Sequence, residues 1–265
     1  VFDLLRVLIQ FVFRVTFGLA LAMGATSPRD VTSGYYQKHL WVLMGLNTLA
    51  ALATFSARKA LAVELAYPQT VLVLSIALAV ACYLGSVLWL YEASRWGRWL
   101  LFGVSLGGLT ASLIGTPAAK TASLGGLLLT TLDTATGGLV LGGLLAAMFL
   151  GHWYLNHPGM RLAPLKRLIL ILLAAVVARA LVVGVGAVLR VGDAEHAVAG
   201  EFWIFLTLRW LAGIVGVIAM SWMAWQTLKI PNTQSATGVL YAGVILAFIG
   251  ELTSQLLSAG QWYPV

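Results

Sequence analysis

The run TVLVLSIALAVACYLGSVLWL, residues 70–90, holds no charged side chain over 21 positions. As an α-helix at about 1.5 Å per residue it reaches roughly 30 Å, the thickness of a bilayer's hydrocarbon core. Seven further segments of similar character flank it, bounded by charge or by Pro and Gly: Leu4 to Met23, Leu40 to Phe55, Trp99 to Ile114, Thr136 to Leu155, Leu168 to Leu189, Phe202 to Leu228 and Thr237 to Leu257. Sixty per cent of all residues are hydrophobic and 9% are charged, against roughly 25% charged in ordinary globular chains. The sequence therefore predicts an all-α polytopic membrane protein, a bundle of about eight transmembrane helices, with residues 1–265 forming a single integral membrane domain.

The stretch from Gly115 to Ala135 contains Pro117, Lys120 and an apolar patch, Leu124 to Leu129, that is too short to cross alone. It is expected to be a loop with an interfacial helical piece or a re-entrant turn. Ala20-Leu21-Ala22 loosely resembles a signal-peptidase site, but Arg14 interrupts the apolar run before it, so the first segment is read as a retained span.

The 16 Lys and Arg outnumber the 9 Asp and Glu. They fall in short clusters between apolar segments, which is the pattern of cytoplasmic loops and leaves no footprint for nucleic acid. One set of connections carries Arg29, Lys38, Arg95, Arg98, Arg161, Lys166, Arg167 and Lys229 against Asp30 and Glu92. The other, with the N-terminal segment, carries Arg6, Arg58, Lys59, Lys120 and Arg190 against Asp3, Glu64, Asp133, Asp193, Glu195 and Glu201. The positive-inside rule places the first set in the cytoplasm and both termini outside it, in a membrane such as the bacterial inner membrane. Cys82, the single cysteine, excludes a disulfide framework and a thiolate metal site. Neither a P-loop nor a dinucleotide fingerprint is present. Gly103 with Gly107, and Gly138 with Gly142, have the small-xxx-small spacing that lets helices approach closely in lipid.

Two groups of residues carry candidate chemistry. Gly151 to Met160 holds two of the four histidines at the end of a span, just before the basic run Arg161 to Arg167. A quinone site needs an apolar slot and a few hydrogen-bonding groups at the membrane edge. His39, His152, Tyr154, Asn156 and His157, with Tyr35 and Tyr36, supply those groups. Haem b ligation by His39 and His152 is disfavoured, because both lie near the interface and nothing in the sequence sets their helices face to face. An interfacial aromatic belt accounts for Trp96, Trp99, Trp262 and Tyr263. His196, among Asp193, Glu195 and Glu201, reads as part of a solvated acidic loop.

The second group is ionisable and lies inside the spans: Arg14, Arg179, Arg209 and Glu251. Charges at such depth must face the bundle interior or water, as partners in an ionic network. Arg209 and Glu251 both fall roughly 10 Å below the outer end of their spans, which allows a direct ion pair, with Arg179 somewhat deeper.

Eight spans, external termini, little extramembrane mass and a Gly250-Glu251 in the last helix together make the chain resemble the membrane-anchor subunits of DMSO-reductase and polysulfide-reductase type complexes. The resemblance implies a non-catalytic, quinone-interacting subunit that docks an iron–sulfur partner, with other membrane-complex subunits and the lipid bilayer as its surroundings. Two other functions fit the same composition: a small-solute or ion transporter with buried Arg and Glu in its path, and a membrane enzyme acting on a lipid or isoprenoid.

Overall fold

A computed structural model describes residues 2–58, 67–121, 123–157, 159–192, 200–230 and 232–259. The described chain is all helical: α1 (Phe2–Ala25), α2 (Ser33–Ser56), α3 (Pro68–Leu90), α4 (Ser94–Ile114), a short α5 (Ala118–Thr121), α6 (Leu124–Asn156), α7 (Ala163–Gly192), α8 (Gly200–Leu208), a π-helical stretch (Arg209–Gly216), α9 (Val217–Thr227) and α10 (Thr233–Ala259). Taking α8, the π-helical stretch and α9 as one span, eight helices are long and apolar enough to cross a membrane. The protein is a multi-pass integral membrane protein. His196 and its acidic neighbours Asp193 and Glu195, together with Trp262 and Tyr263, lie outside the described residues.

In α3 the opening run shows what a span needs. Val71, Ser75, Leu78, Cys82, Ser86 and Trp89 recur every three or four residues and are buried, while Val73, Ile76, Val80 and Leu84 form the opposite, exposed stripe. The exposed stripe is entirely apolar, and the buried one carries Ser75 and Ser86 among its apolar side chains. A soluble helix would put polar groups on its outer face, so an apolar outer face is stable only against lipid.

Around two central helices, α1 and α6, the other spans are arranged. On one side α1 packs on α4, α2 pairs with α3, and α3 with α4. On the other, α6 packs on α7 and α10, and α10 on α9 and the π-helical stretch. The seam between α1 and α6 is made by glycines. A Cβ on Gly18 would stand 1.7 Å from the Gly138 carbonyl oxygen, and one on Gly142 would stand 1.9 Å from the Gly18 carbonyl carbon. Backbone therefore touches backbone there, as the Gly138–Gly142 spacing predicts. The other spacing behaves differently: a Cβ on Gly103 meets nothing within 4 Å, and it is Gly108 that presses on α1, at Phe17.

One expectation fails. The loop expected over Gly115 to Ala135 ends at Ser123, whose hydroxyl accepts from the Gly126 amide at 3.0 Å and caps α6. From there Leu124 to Leu132 continue without a break into the fifth span, giving a helix of 33 residues. At about 1.5 Å per residue it is roughly 50 Å long. The apolar patch is too short to span by itself, but it is the first part of a longer helix. Asp133, counted among the loop charges, consequently lies within the bundle, 6% exposed.

At one end of the bundle, called here the terminal end, α1 begins and α10 ends. There Gln10 and the end of α4 bind each other twice: Gln10 Nε2 donates to the Ser112 carbonyl at 3.0 Å, and Ser112 Oγ donates to Gln10 Oε1 at 2.6 Å. The far end is aromatic, with Tyr36 stacked on Trp89 at 3.9 Å and Trp153 Nε1 donating to Thr32 Oγ1 at 2.8 Å.

Candidate functional site

Four helices each bring one ionic side chain to the same point in the core. Arg14 comes from α1, Asp133 from α6, Arg179 from α7 and Glu251 from α10, and each is no more than 8% exposed. Arg14 Nη2 lies 2.6 Å from Asp133 Oδ2 and its Nη1 lies 2.5 Å from Glu251 Oε1. Arg179 Nη1 lies 2.5 Å from Asp133 Oδ1 and its Nη2 lies 3.1 Å from Glu251 Oε2. Within each carboxylate the two oxygens take different guanidinium groups, and each guanidinium bridges both carboxylates. The result is a closed ring of alternating charge.

Neighbouring groups add further hydrogen bonds, although Arg14 Nε has no partner among the described residues. Arg179 also donates to the Asp133 carbonyl at 2.7 Å and to Ser254 Oγ at 3.1 Å, and Gln255 Nε2 donates to Glu251 Oε1 at 3.1 Å. Pairing each charge with two opposite ones and adding neutral donors and acceptors is what allows buried charges to persist in a low-dielectric interior. Space is provided by Gly137, one turn beyond Asp133: a Cβ there would come within 2.9 Å of Glu251 Oε2 and 3.0 Å of Arg14 Nη1.

Arg209 does not join the ring. The expected direct pair with Glu251 is absent; Glu251 is taken by Arg14, Arg179 and Gln255, and both terminal nitrogens of Arg209 have no hydrogen-bond partner among the described residues. Depth arithmetic placed Arg209 and Glu251 at similar levels, and they do border a common small cavity. It could not say which cation would claim the carboxylate.

From the terminal end a cavity of about 80 Å³ leads down to the ring. Arg6, Gln10 and Lys120 are among its walls, and Arg14, Asp133 and Gln255 border its inner part. At this volume it has room for several waters. Lys120 Nζ donates to the Ser258 carbonyl, closing the rim between α5 and α10. Burial pulls the Lys120 ammonium down to about 8 from the ordinary 10.5, partly offset by Asp133. The amine is protonated and unreactive below that pH and neutral above it. Labelling with an amine-reactive reagent, followed by peptide mass spectrometry, is therefore expected to rise at Lys120 with a midpoint near pH 8, well below that of exposed lysines.

The candidate quinone residues do not converge. His39 is buried; its ring stacks on Phe149 at 4.3 Å and its Nδ1 is 2.6 Å from the Tyr35 carbonyl. His152 is exposed and meets Tyr241 edge-on at 6.5 Å. His157 is exposed and stacks on Trp153 at 4.9 Å, and Asn156 is exposed as well. Tyr154 is buried and its hydroxyl donates to the Arg161 carbonyl, holding the turn after α6. At about 100° per residue, His152 and Asn156 lie on one face of α6 and Tyr154 points to the opposite side, so the set does not line one slot. Phe149 covers one face of the His39 ring.

No protein-family model matches the chain, nor does any curated protein or solved structure. No group of three His, Cys, Asp or Glu side chains suited to a metal occurs among the described residues.

Proposed function

We propose that this protein moves a small solute or ion through its bundle, with the Arg14–Asp133–Arg179–Glu251 ring as the gate. One observation carries the reading: a cavity from the terminal end terminates on buried charge rather than on apolar packing. A ring that only clamped helices together would gain nothing from such access. An alternating ring can also open stepwise, because each carboxylate released by one arginine is still held by the other.

The loop charges support an orientation. With Asp133 removed from the loops, the sequence segments assigned to the same side as the N-terminus carry Arg6, Arg58, Lys59, Lys120 and Arg190 against Asp3, Glu64, Asp193, Glu195 and Glu201, five of each. The opposite connections keep their eight basic residues, Arg29, Lys38, Arg95, Arg98, Arg161, Lys166, Arg167 and Lys229, against Asp30 and Glu92. This favours the terminal end outside the cytoplasm, as in a bacterial inner-membrane protein.

The test is flux in proteoliposomes, with pH- and halide-sensitive dyes inside. Thr130→Trp, which fills the cavity from the α6 wall, is expected to cut the protein-dependent flux severalfold while leaving the folded yield unchanged. Wild-type vesicles no leakier than protein-free ones would rule the reading out.

A second reading is favoured by a different observation. Tyr35, His39, Phe149 and Trp153 form an aromatic nest at the far end. In a quinone-interacting anchor subunit of an electron-transfer complex, that nest would bound the ring site, with the more exposed His152 and His157 outside it. Co-purification with redox subunits, and quinone retained after mild detergent extraction, would favour this alternative over transport.

A further inference from the structure

Arg209 poses the sharper chemical question. It opens the π-helical stretch, a rare helical form that often occurs where function requires it. It is 2% exposed, and neither Nη1 nor Nη2 has a partner among the described residues. The nearby carboxylates cannot serve it. Asp133 gives one oxygen to Arg14 and the other to Arg179, and Glu251 does the same while also accepting from Gln255. Among the described residues, the buried ionic groups Arg14, Arg179 and Arg209 face Asp133 and Glu251, leaving one positive charge over.

Next to that surplus charge is a space of suitable size. A cavity of about 20 Å³ is bordered by Arg179, Arg209 and Glu251, with Leu141, Gly213 and Gly250 among its other walls. It has room for roughly one water-sized particle. The backbones close it on one side, since a Cβ on Gly250 would stand 2.2 Å from Gly213 Cα. Water could satisfy the two nitrogens as donors but would leave the charge uncompensated in a medium of low dielectric. A single-atom anion would satisfy both requirements, and the apolar walls exclude anything much larger.

We propose that Arg209 holds a small monovalent anion of halide size in this cavity. The site deepens the transport reading by naming the ion, and it rests on that reading only for the claim that the ion moves; binding by itself does not require flux. Anion occupancy balances the five core ionic groups and turns the unpaired guanidinium into a charge-assisted hydrogen-bond donor.

Equilibrium binding of radioactive chloride to the full chain in detergent, at constant pH and ionic strength, tests the site. Saturable binding is expected, displaced by bromide and not by gluconate, which is too large for the cavity. Arg209→Gln is expected to weaken it by about tenfold or more, whereas Lys120→Gln, in the other cavity, leaves it intact. Should Arg209→Gln fail to fold, Ala247→Leu fills the same cavity from α10 without touching a charge and is expected to abolish binding. Absence of saturable chloride binding to the wild type, or undiminished binding in folded Arg209→Gln or Ala247→Leu, would overturn the proposal. The two readings fail separately: chloride binding without flux removes transport and keeps the site, while flux without saturable chloride binding removes the site and keeps transport.

Discussion

Glu251→Gln is expected to destabilise the protein by about 3–5 kcal/mol, the range for removing one partner of a buried ion pair. The change alters no volume. It leaves Arg14, Arg179 and Arg209 in the core with Asp133 as their nearest buried anion. Both Arg14 Nη1 and Arg179 Nη2 lose a charged acceptor at 2.5 and 3.1 Å. Thermal unfolding in detergent, read alongside the monodisperse fraction, should show a large downward shift. Arg14→Gln combined with Glu251→Gln removes one charge of each sign and is expected to recover much of the loss, so that the two changes are strongly non-additive. The Asp30–Arg161 pair provides the contrast. It is 3.8 Å long with Arg161 largely exposed, and Asp30→Asn is expected to change stability little. If Glu251→Gln unfolded at the wild-type temperature, the ring would not be an energetic unit.

Gly142→Ala is expected to be comparably damaging although it adds one methyl group. The new Cβ would stand 1.9 Å from the Gly18 carbonyl carbon and 2.0 Å from the Leu19 amide nitrogen. Neither is the end of a side chain that can turn away, so α1 and α6 must part by more than about 1 Å to restore ordinary contact. Overpacking of this kind costs about 1–3 kcal/mol and sometimes more. There is a second consequence, because Arg14 lies one turn from Gly18 on the same helix. Moving α1 outward pulls Arg14 from Asp133 and Glu251, so the packing defect becomes an electrostatic one. Gly103→Ala, with nothing within 4 Å, should leave unfolding unchanged. Equal behaviour of the two alanine variants would show that the α1–α6 seam does not set stability.

The spans were legible because a membrane demands length and apolarity, and both are written in single segments such as Thr70 to Leu90. Helix ends were less so. Leu124 to Leu129 read as an isolated patch, since Gly125 and Gly126 interrupt it and Pro117 precedes it. The Ser123 cap that starts the helix is a single side-chain hydrogen bond. Losing those helical turns hid Asp133. A charge argument would have recovered it: Arg14, Arg179 and Arg209 against Glu251 alone leave an anion deficit that a bundle in lipid cannot tolerate. Three of the four ring members were recognisable as charges inside spans. Their pairing was not, because partner choice depends on helix rotation and adjacency, which one sequence does not encode locally. Similarly, His152 and Asn156 share the exposed face of α6 at i and i+4, whereas Tyr154 between them points into the bundle, a split that closeness in sequence conceals.

Access to the ring from the terminal end has an electrical consequence. Filled with water and mobile ions, that cavity would conduct, and little of a membrane potential would fall along it. The voltage drops instead across the insulating part beyond the ring, where Leu141, Leu144, Ala147 and Leu150 of α6 are buried in apolar packing. One elementary charge crossing the whole field is worth about 2.3 kcal/mol per 100 mV. Any charge displaced inward from the level of Arg14 would feel nearly all of that within a shortened path. The ring thus occupies the position of a capacitor plate, and a change in its protonation or pairing is the event in this bundle that membrane voltage would bias most strongly.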